Sequence, residues 1–283
     1  MNKIEFYFNT QLFDNLDREI LVKRIHELVA MRNIIQKFDE VTLNYDKTMK
    51  KILADPIVYS DSSLRTTLTL LLTSLHPKET VPVHYRSPKI GQLPDVVSLC
   101  KPVPNVCFCL LSPNLGQNWE TDIIDVVGNN FSMRLNNVFD DNSTLDYLEK
   151  HWTHNILEQK ILNGDRFSRG GNNVYHFEEI LFHDDFESQI AKVPINIRTK
   201  IYSIFSKIIF GTKKFEDYEF HDESTSVKQN RKLKAQRLVK FSGNDKIIYF
   251  HLKLTRNWSI YIDNSPKTIF VGHVSKHLNT KKY

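Results

Sequence analysis

The sequence predicts an α+β protein in two parts. Residues 1–165 read as a mixed α/β N-terminal domain. Residues 174–283 read as a helical hairpin packed on a largely antiparallel sheet. Three observations carry this reading. Phe186, Ile190 and Val193, then Ile197, Ile201, Phe205 and Ile208, recur at three- and four-residue spacing, the mark of amphipathic helices. Four β-prone runs follow within 236–274, joined by connections short enough for hairpins. Between the two parts lies NGDRFSRGGNN (163–173), with three glycines and three asparagines, enough to break any regular element.

In chain order, IEFYF near the N-terminus is a short strand of β-prone residues. From about Asn15 to Phe38, Leu16, Ile20, Leu21, Ile25, Leu28 and Val29 give a helical pattern. A second helix covers Ser62 to Leu75, capped by Asp61 or Ser62, with Pro77 beyond its end. Residues 77–104 read as irregular connections, NVCFCLL (105–111) as a buried strand, and Thr144–Trp152 as a helix opened by Asn142 or Ser143.

After the break, ILFHDDF (180–186) starts as a strand and the two amphipathic helices follow, the second ending near Gly211. Residues 216–232 are polar and charged, as in a mobile loop. The strands are QRLVKF (236–241), KIIYFHLKL (246–254), WSIYI (258–262) and TIFVGHV (268–274). In 246–254, alternation sends Ile248, Phe250, Leu252 and Leu254 one way and Tyr249, His251 and Lys253 the other.

The chain has 283 residues, 38 basic against 33 acidic side chains, and 41% hydrophobic residues, enough for real cores. No apolar run approaches the roughly 20 residues of a membrane helix. The N-terminus lacks a signal-peptide layout, and three cysteines make no complete disulfide framework. A cytoplasmic protein is expected. The charge is unevenly placed: 226–283 holds 13 Lys/Arg against Asp245 and Asp263, a net +11. With +5 overall, 1–225 carries −6. Clustered cations suit a polyanionic partner, because they release counterions from a phosphate backbone; a solvated basic surface is the plain alternative.

FHDDFESQIAKVPINIRTKIYSIFSKI, YFHLKLTRNWSIYI and GHVSKHLNTKKY, in that order, resemble the RelE/HigB-type toxin superfamily over about 178–283. The resemblance implies a fold that opens with a strand and helical hairpin and closes with a strand pair, a glycine, a basic cluster and a tyrosine. It also implies ribosome-dependent mRNA cleavage, or, in the ParE-like branch, gyrase inhibition without nuclease residues. RNA cleavage by internal attack needs a base for the 2′-hydroxyl, cations for the developing charge and an acid for the leaving oxygen. No metal or other cofactor is called for, since the nucleophile belongs to the substrate.

His251 and Lys253 share one strand face where the family carries basic residues, and Lys276 and His277 stand where it presents a lysine–arginine pair. Tyr283 falls six residues after His277, at the family's tyrosine position, with its own carboxylate nearby. Arg256 lies in a turn and substitutes for an arginine the family often has where this chain reads Trp258-Ser259. His273 reads as structural. Lys228, Arg231, Lys232, Lys234, Arg237 and Lys240, with Lys281 and Lys282, are candidate phosphate contacts, or simply solvated charge.

The expected protein is thus a toxin or defence effector acting on RNA, with residues 1–165 sensing a trigger or engaging an antitoxin. A non-catalytic gyrase inhibitor or adaptor is the rival, favoured by Ser259. Cys100, Cys107 and Cys109 lack paired CxxC spacing and read as buried thiols, and no phosphate-cradling glycine loop is present.

Overall fold

The computed structural model describes residues 3–14, 17–80, 84–100, 102–113, 115–128, 131–168, 179–265 and 267–276. The chain divides into two compact units, Met1–Trp152 and Thr153–Tyr283. The division falls ahead of the glycine- and asparagine-rich 163–173 stretch, between the helix Asp141–Trp152 and a π-helical turn, Thr153–Leu157. The mixed α/β character expected of the chain is present, with sheets and helices in both units.

The first unit runs β1 (Lys3–Phe8), α1 (Arg18–Ile35), β2 (Val41–Asp46), α2 (Pro56–Ser60), α3 (Ser62–Thr73) and β3 (His76–Lys78). It continues with β4 (Arg86–Ser87), β5 (Gly91–Gln92), β6 (Val106–Leu111), β7 (Ile123–Val127), β8 (Ser132–Val138) and α4 (Asp141–Trp152). One sheet orders them β3-β2-β1-β6-β8-β7-β4-β5. The first five are parallel and the rest antiparallel.

Parallel neighbours need crossovers, and two of these are helical: α1 links β1 to β2, and α2 with α3 links β2 to β3. In α1, Leu21, Ile25, Leu28, Met31 and Ile35 are buried, one stripe at three- and four-residue spacing. It starts at Arg18, where the Asp17 carboxylate accepts the Glu19 and Ile20 N–H groups; Asn15 and Leu16 of the expected helix lie outside the described residues. Asp61 caps α3 in the same way, through Leu64 N–H. The 77–104 stretch is less irregular than its composition suggests. It holds β4, β5 and a 3-10 turn whose Val96 and Val97 join a core cluster with Tyr7, Leu110 and Trp119.

The second unit continues with α5 (Glu158–Asn163), β9 (Phe167–Ser168), β10 (Glu179–Phe182), α6 (Phe186–Ile190) and α7 (Ile195–Ile209). Then come β11 (Phe220–His221), α8 (Thr225–Gln229), α9 (Arg231–Ala235) and the hairpin β12 (Leu238–Phe241) and β13 (Asn244–Ile247). The last strands are β14 (His251–Thr255), β15 (Trp258–Asn264) and β16 (Thr268–Lys276). The main sheet orders them β11-β14-β15-β16-β10-β9, with β10 and β16 parallel and the other pairs antiparallel.

One face of this sheet meets the helices: Phe182 stacks on Phe186 and lies 6.3 Å from Phe205. Cross-strand register puts Ile180, Ile260, Ile262, Ile269, Val271, Leu252 and Val274 on that face, all buried. On the other face Tyr261 packs with Val239, Phe241 and Ile248 of the separate hairpin, flanked by Leu181 and Phe270.

Two expectations need correction. The 216–232 stretch contains β11, α8, anchored by buried Val227, and the start of α9, whose buried Leu233 follows just beyond, so it is not a loop. The run 246–254 is not one strand. Its front half pairs with β12 and its back half joins the main sheet, so Ile248 lies in the hairpin's cluster and Phe250 is 45% exposed.

Candidate functional site

β14 and its neighbours position the residues the sequence singled out. Lys253, Ser259 and Ser275 stand opposite one another across β14, β15 and β16, and His251 stands opposite Tyr261, on the face away from the helices. Trp258 and Lys276 form the neighbouring pair across β15 and β16. Alternation turns that pair to the other side, and the Lys276 ammonium lies 6.0 Å from the Trp258 ring. Lys276 therefore does not share a face with His251 and Lys253. Arg256 is exposed in the β14–β15 turn. His277, Lys281, Lys282 and Tyr283 lie outside the described residues.

His251 is 8% exposed, its ring 5.3 Å from Tyr261 and 6.3 Å from His221 of β11. The Lys253 ammonium lies 3.1 Å from the Glu219 carboxylate, and its backbone N–H donates to the Glu219 carbonyl. Lys253 in turn holds the Glu219 carboxyl below its ordinary value. A phosphate reaching Lys253 competes with Glu219 for the ammonium.

The basic run 228–240 divides by environment. Arg237 is buried: its Nε and Nη2 donate to Glu223 Oε1 at 2.8 and 2.7 Å, and its guanidinium sits 4.1 Å over the Tyr261 ring. The Tyr261 hydroxyl donates to the same oxygen at 2.9 Å. Burial raises the Tyr261 pKa, so the phenol stays protonated. Arg237, grouped by sequence with the phosphate contacts, is instead a structural cation.

Lys228 pairs with Asp222 and lies 5.4 Å over Tyr249; Lys246 pairs with Asp263 at 2.8 Å. Arg231, Lys232, Lys234 and Lys240 are exposed and make no ion pair among the described residues. Three of these four, Arg231, Lys232 and Lys234, stand on α9, which Asn230 caps through the Lys232 and Leu233 N–H groups.

A second cluster joins His273, read from the sequence as structural, to His183 and Gln189, which went unread. Gln189 Oε1 accepts the Val274 N–H at 2.8 Å and faces His183 Nε2 at 3.4 Å, while its Nε2 donates to His273 Nδ1 at 3.1 Å. His183 Nδ1 accepts the Asp185 N–H, and His273 Nε2 faces the Leu238 carbonyl at 3.3 Å. Every bond is satisfied when both imidazoles are neutral and protonated at Nε2. Burial lowers both pKa values, and for His273 the nearby His183 adds to the effect. With each ring nitrogen engaged, the pair is a structural tie between β10, α6, β16 and β12. The one sequence signal was a histidine closing an apolar strand, ILFH.

Among the described residues no three His, Cys, Asp or Glu side chains gather as a metal site. Cys100 and Cys109 are buried, which pushes the Cys100 thiol up to about 12 and Cys109 upward as well. No helix among the described residues is long and apolar enough to cross a membrane. The first unit carries an open crevice of 480 Å³ between the loops after β1 and β2, lined by Thr10, Phe13, Asp14, Thr48 and Lys51 among others. Comparison with protein-family models, curated proteins and solved structures finds no match.

Proposed function

We propose that the second unit is an RNA-cleaving effector of the RelE-like kind, acting on mRNA at the ribosome by metal-independent acid–base chemistry. The observation that carries the reading is element order. A strand (β10) leads into paired helices (α6, α7), and antiparallel strands β14–β16 close the sheet. That is the succession the resemblance at 178–283 implies. His251 and Lys253 on one face of β14, with the cations of α9 in the same unit, supply a base and phosphate contacts. The first unit would then sense a trigger or engage an antitoxin.

A specific observation favours the second reading, a non-catalytic interaction protein such as a gyrase inhibitor or adaptor. Glu219 occupies Lys253, and His251 is nearly buried. The discriminating experiment is induced expression followed by sequencing of RNA 5′ ends. The nuclease reading expects new 5′ ends within open reading frames, lost in Lys253→Ala and His251→Ala. Toxicity without new ends, equal in both variants, overturns it in favour of the interaction protein.

A further inference from the structure

His251, the proposed base on β14, is 8% exposed, whereas His221, directly opposite it on β11, is exposed. The segment 223–237 meets the sheet beside the buried imidazole. Its two ends are clasped together there: Glu223 Oε1 accepts from Arg237 Nε and Nη2 and from the Tyr261 hydroxyl. The Arg237 guanidinium covers the Tyr261 ring at 4.1 Å. The backbone holds both ends as well, since the Glu223 N–H donates to the Tyr249 carbonyl and the Ile248 N–H to the Arg237 carbonyl. Beyond the clasp, the Lys228 ammonium of α8 lies 5.4 Å from the centre of the Tyr249 ring. Tyr261 stands opposite His251, and Tyr249 precedes it by two residues. The segment therefore touches the residues on either side of the imidazole.

A compact loop with its ends held close is an Ω-loop, a form that often serves function. Between the clasped ends, 224–236 is lightly held. Val227 and Leu233 are its buried side chains, Lys228 is half-buried, and every other residue is exposed. Its backbone hydrogen bonds are local. The Val227 and Lys228 N–H groups donate to the Ser224 carbonyl, Asn230 to Ser226, Lys234 to Asn230 and Gln236 to Leu233. The loop keeps these bonds if it lifts as a body. What lifting costs is two apolar anchors and the Lys228–Asp222 pair, the profile of a segment that opens ahead of global unfolding.

We infer that 224–236 is a hinged flap, shut in this structure, which covers His251 and uncovers it by lifting about the fixed Glu223–Arg237 clasp. The inference deepens the proposed function and rests on it for the flap's purpose, which is control of access to the proposed base. Arg231, Lys232 and Lys234 ride on the exposed side, so a polyanion would engage the moving part.

The test is modification of the full chain by diethyl pyrocarbonate, without RNA, with mass spectrometry following each histidine. His221 is the exposed standard, and His183, 6% exposed in the same unit, is the buried one. In the parent, His251 should react far more slowly than His221. Val227→Ala and Leu233→Ala each remove an anchor and should speed His251 by at least about tenfold, with His183 and His221 at parent rates. Where an anchor variant does not fold, Lys228→Glu decides. On the half-exposed surface of α8 it sets a carboxylate against Asp222, and it too should speed His251 alone. The inference is overturned if parent His251 reacts as fast as His221, if Lys228→Glu leaves His251 at the parent rate, or if His183 speeds up in step with His251 in all three variants. A chain that cuts no RNA can still show the flap. RNA cleavage with His251 unmoved in the variants overturns the flap and leaves the nuclease reading standing.

Discussion

Glu223 Oε1 receives three donors, two from Arg237 and one from Tyr261, inside the second unit. Removing the carboxylate strands a buried guanidinium. Glu223→Ala should therefore cost about 3–5 kcal/mol, read as a lowered denaturation midpoint in urea. The sequence concealed this arrangement, because a run of six cations advertises solvent and says nothing of a carboxylate fourteen residues earlier. The His183–His273 pair gives a second expectation at this scale. Asp184, Asp185 and Arg237 are the charged groups that act on it, and burial outweighs them. Both folded-state values lie below the ordinary histidine value of about 6.5, so the unfolded chain binds protons first as pH falls. Stability is complete above that pH and declines below it, until the folded-state values are passed. Unfolding midpoints should fall between about pH 7 and 5, and less steeply in His273→Gln.

Among the elements, the β12–β13 hairpin is the most informative. Phe241 pairs with Asn244, and the two residues between them, Ser242 and Gly243, have φ of 50° and 81°. Two left-handed residues define the turn that matches strand twist. The Asp184 carboxylate then accepts both of their N–H groups, at 2.7 and 2.9 Å. Gly243→Ala should cost about 1 kcal/mol through backbone strain alone, since the new Cβ would meet nothing within 4 Å. Ser242→Asn should be neutral or stabilising; differential calorimetry reads both.

The turn itself was legible from SGND, and β1, α3, α7, β15 and β16 were legible from period and caps. The division of 246–254 was not. Alternation reports which side chains share a face and carries no information on which neighbour a strand chooses. Likewise α8 and α9 are single turns held by one apolar anchor each, Val227 and Leu233, and one residue makes no periodicity.

For the whole molecule, the uneven charge acquires an address. Lys228, Lys246, Lys253 and Arg237 each have a carboxylate partner, whereas Arg231, Lys232 and Lys234 on α9 face solvent unpaired among the described residues. If RNA contacts α9, these three cations release counterions there. Replacing all three by glutamine should reduce the slope of log affinity against log salt by about 2 for single-stranded RNA, measured by fluorescence anisotropy. An unchanged slope would move the contact elsewhere. Composition could show the excess of cations but not which of them are already neutralised, because pairing is a property of the fold.

The parallel pairing of β10 with β16 has a kinetic meaning. Ile180 and Ile269 lie side by side across 89 positions of sequence. Every other neighbour of β14, β15 and β16 is supplied by a hairpin or a nearer segment. A chain interrupted before Thr268 leaves β10 with an apolar edge and no strand to cover it. The loop must close before the sheet gains anything from closing, which places this event late and makes folding slow. Until then ILF at 180–182 is an adhesive strip for other chains, and aggregation competes with completion of the sheet.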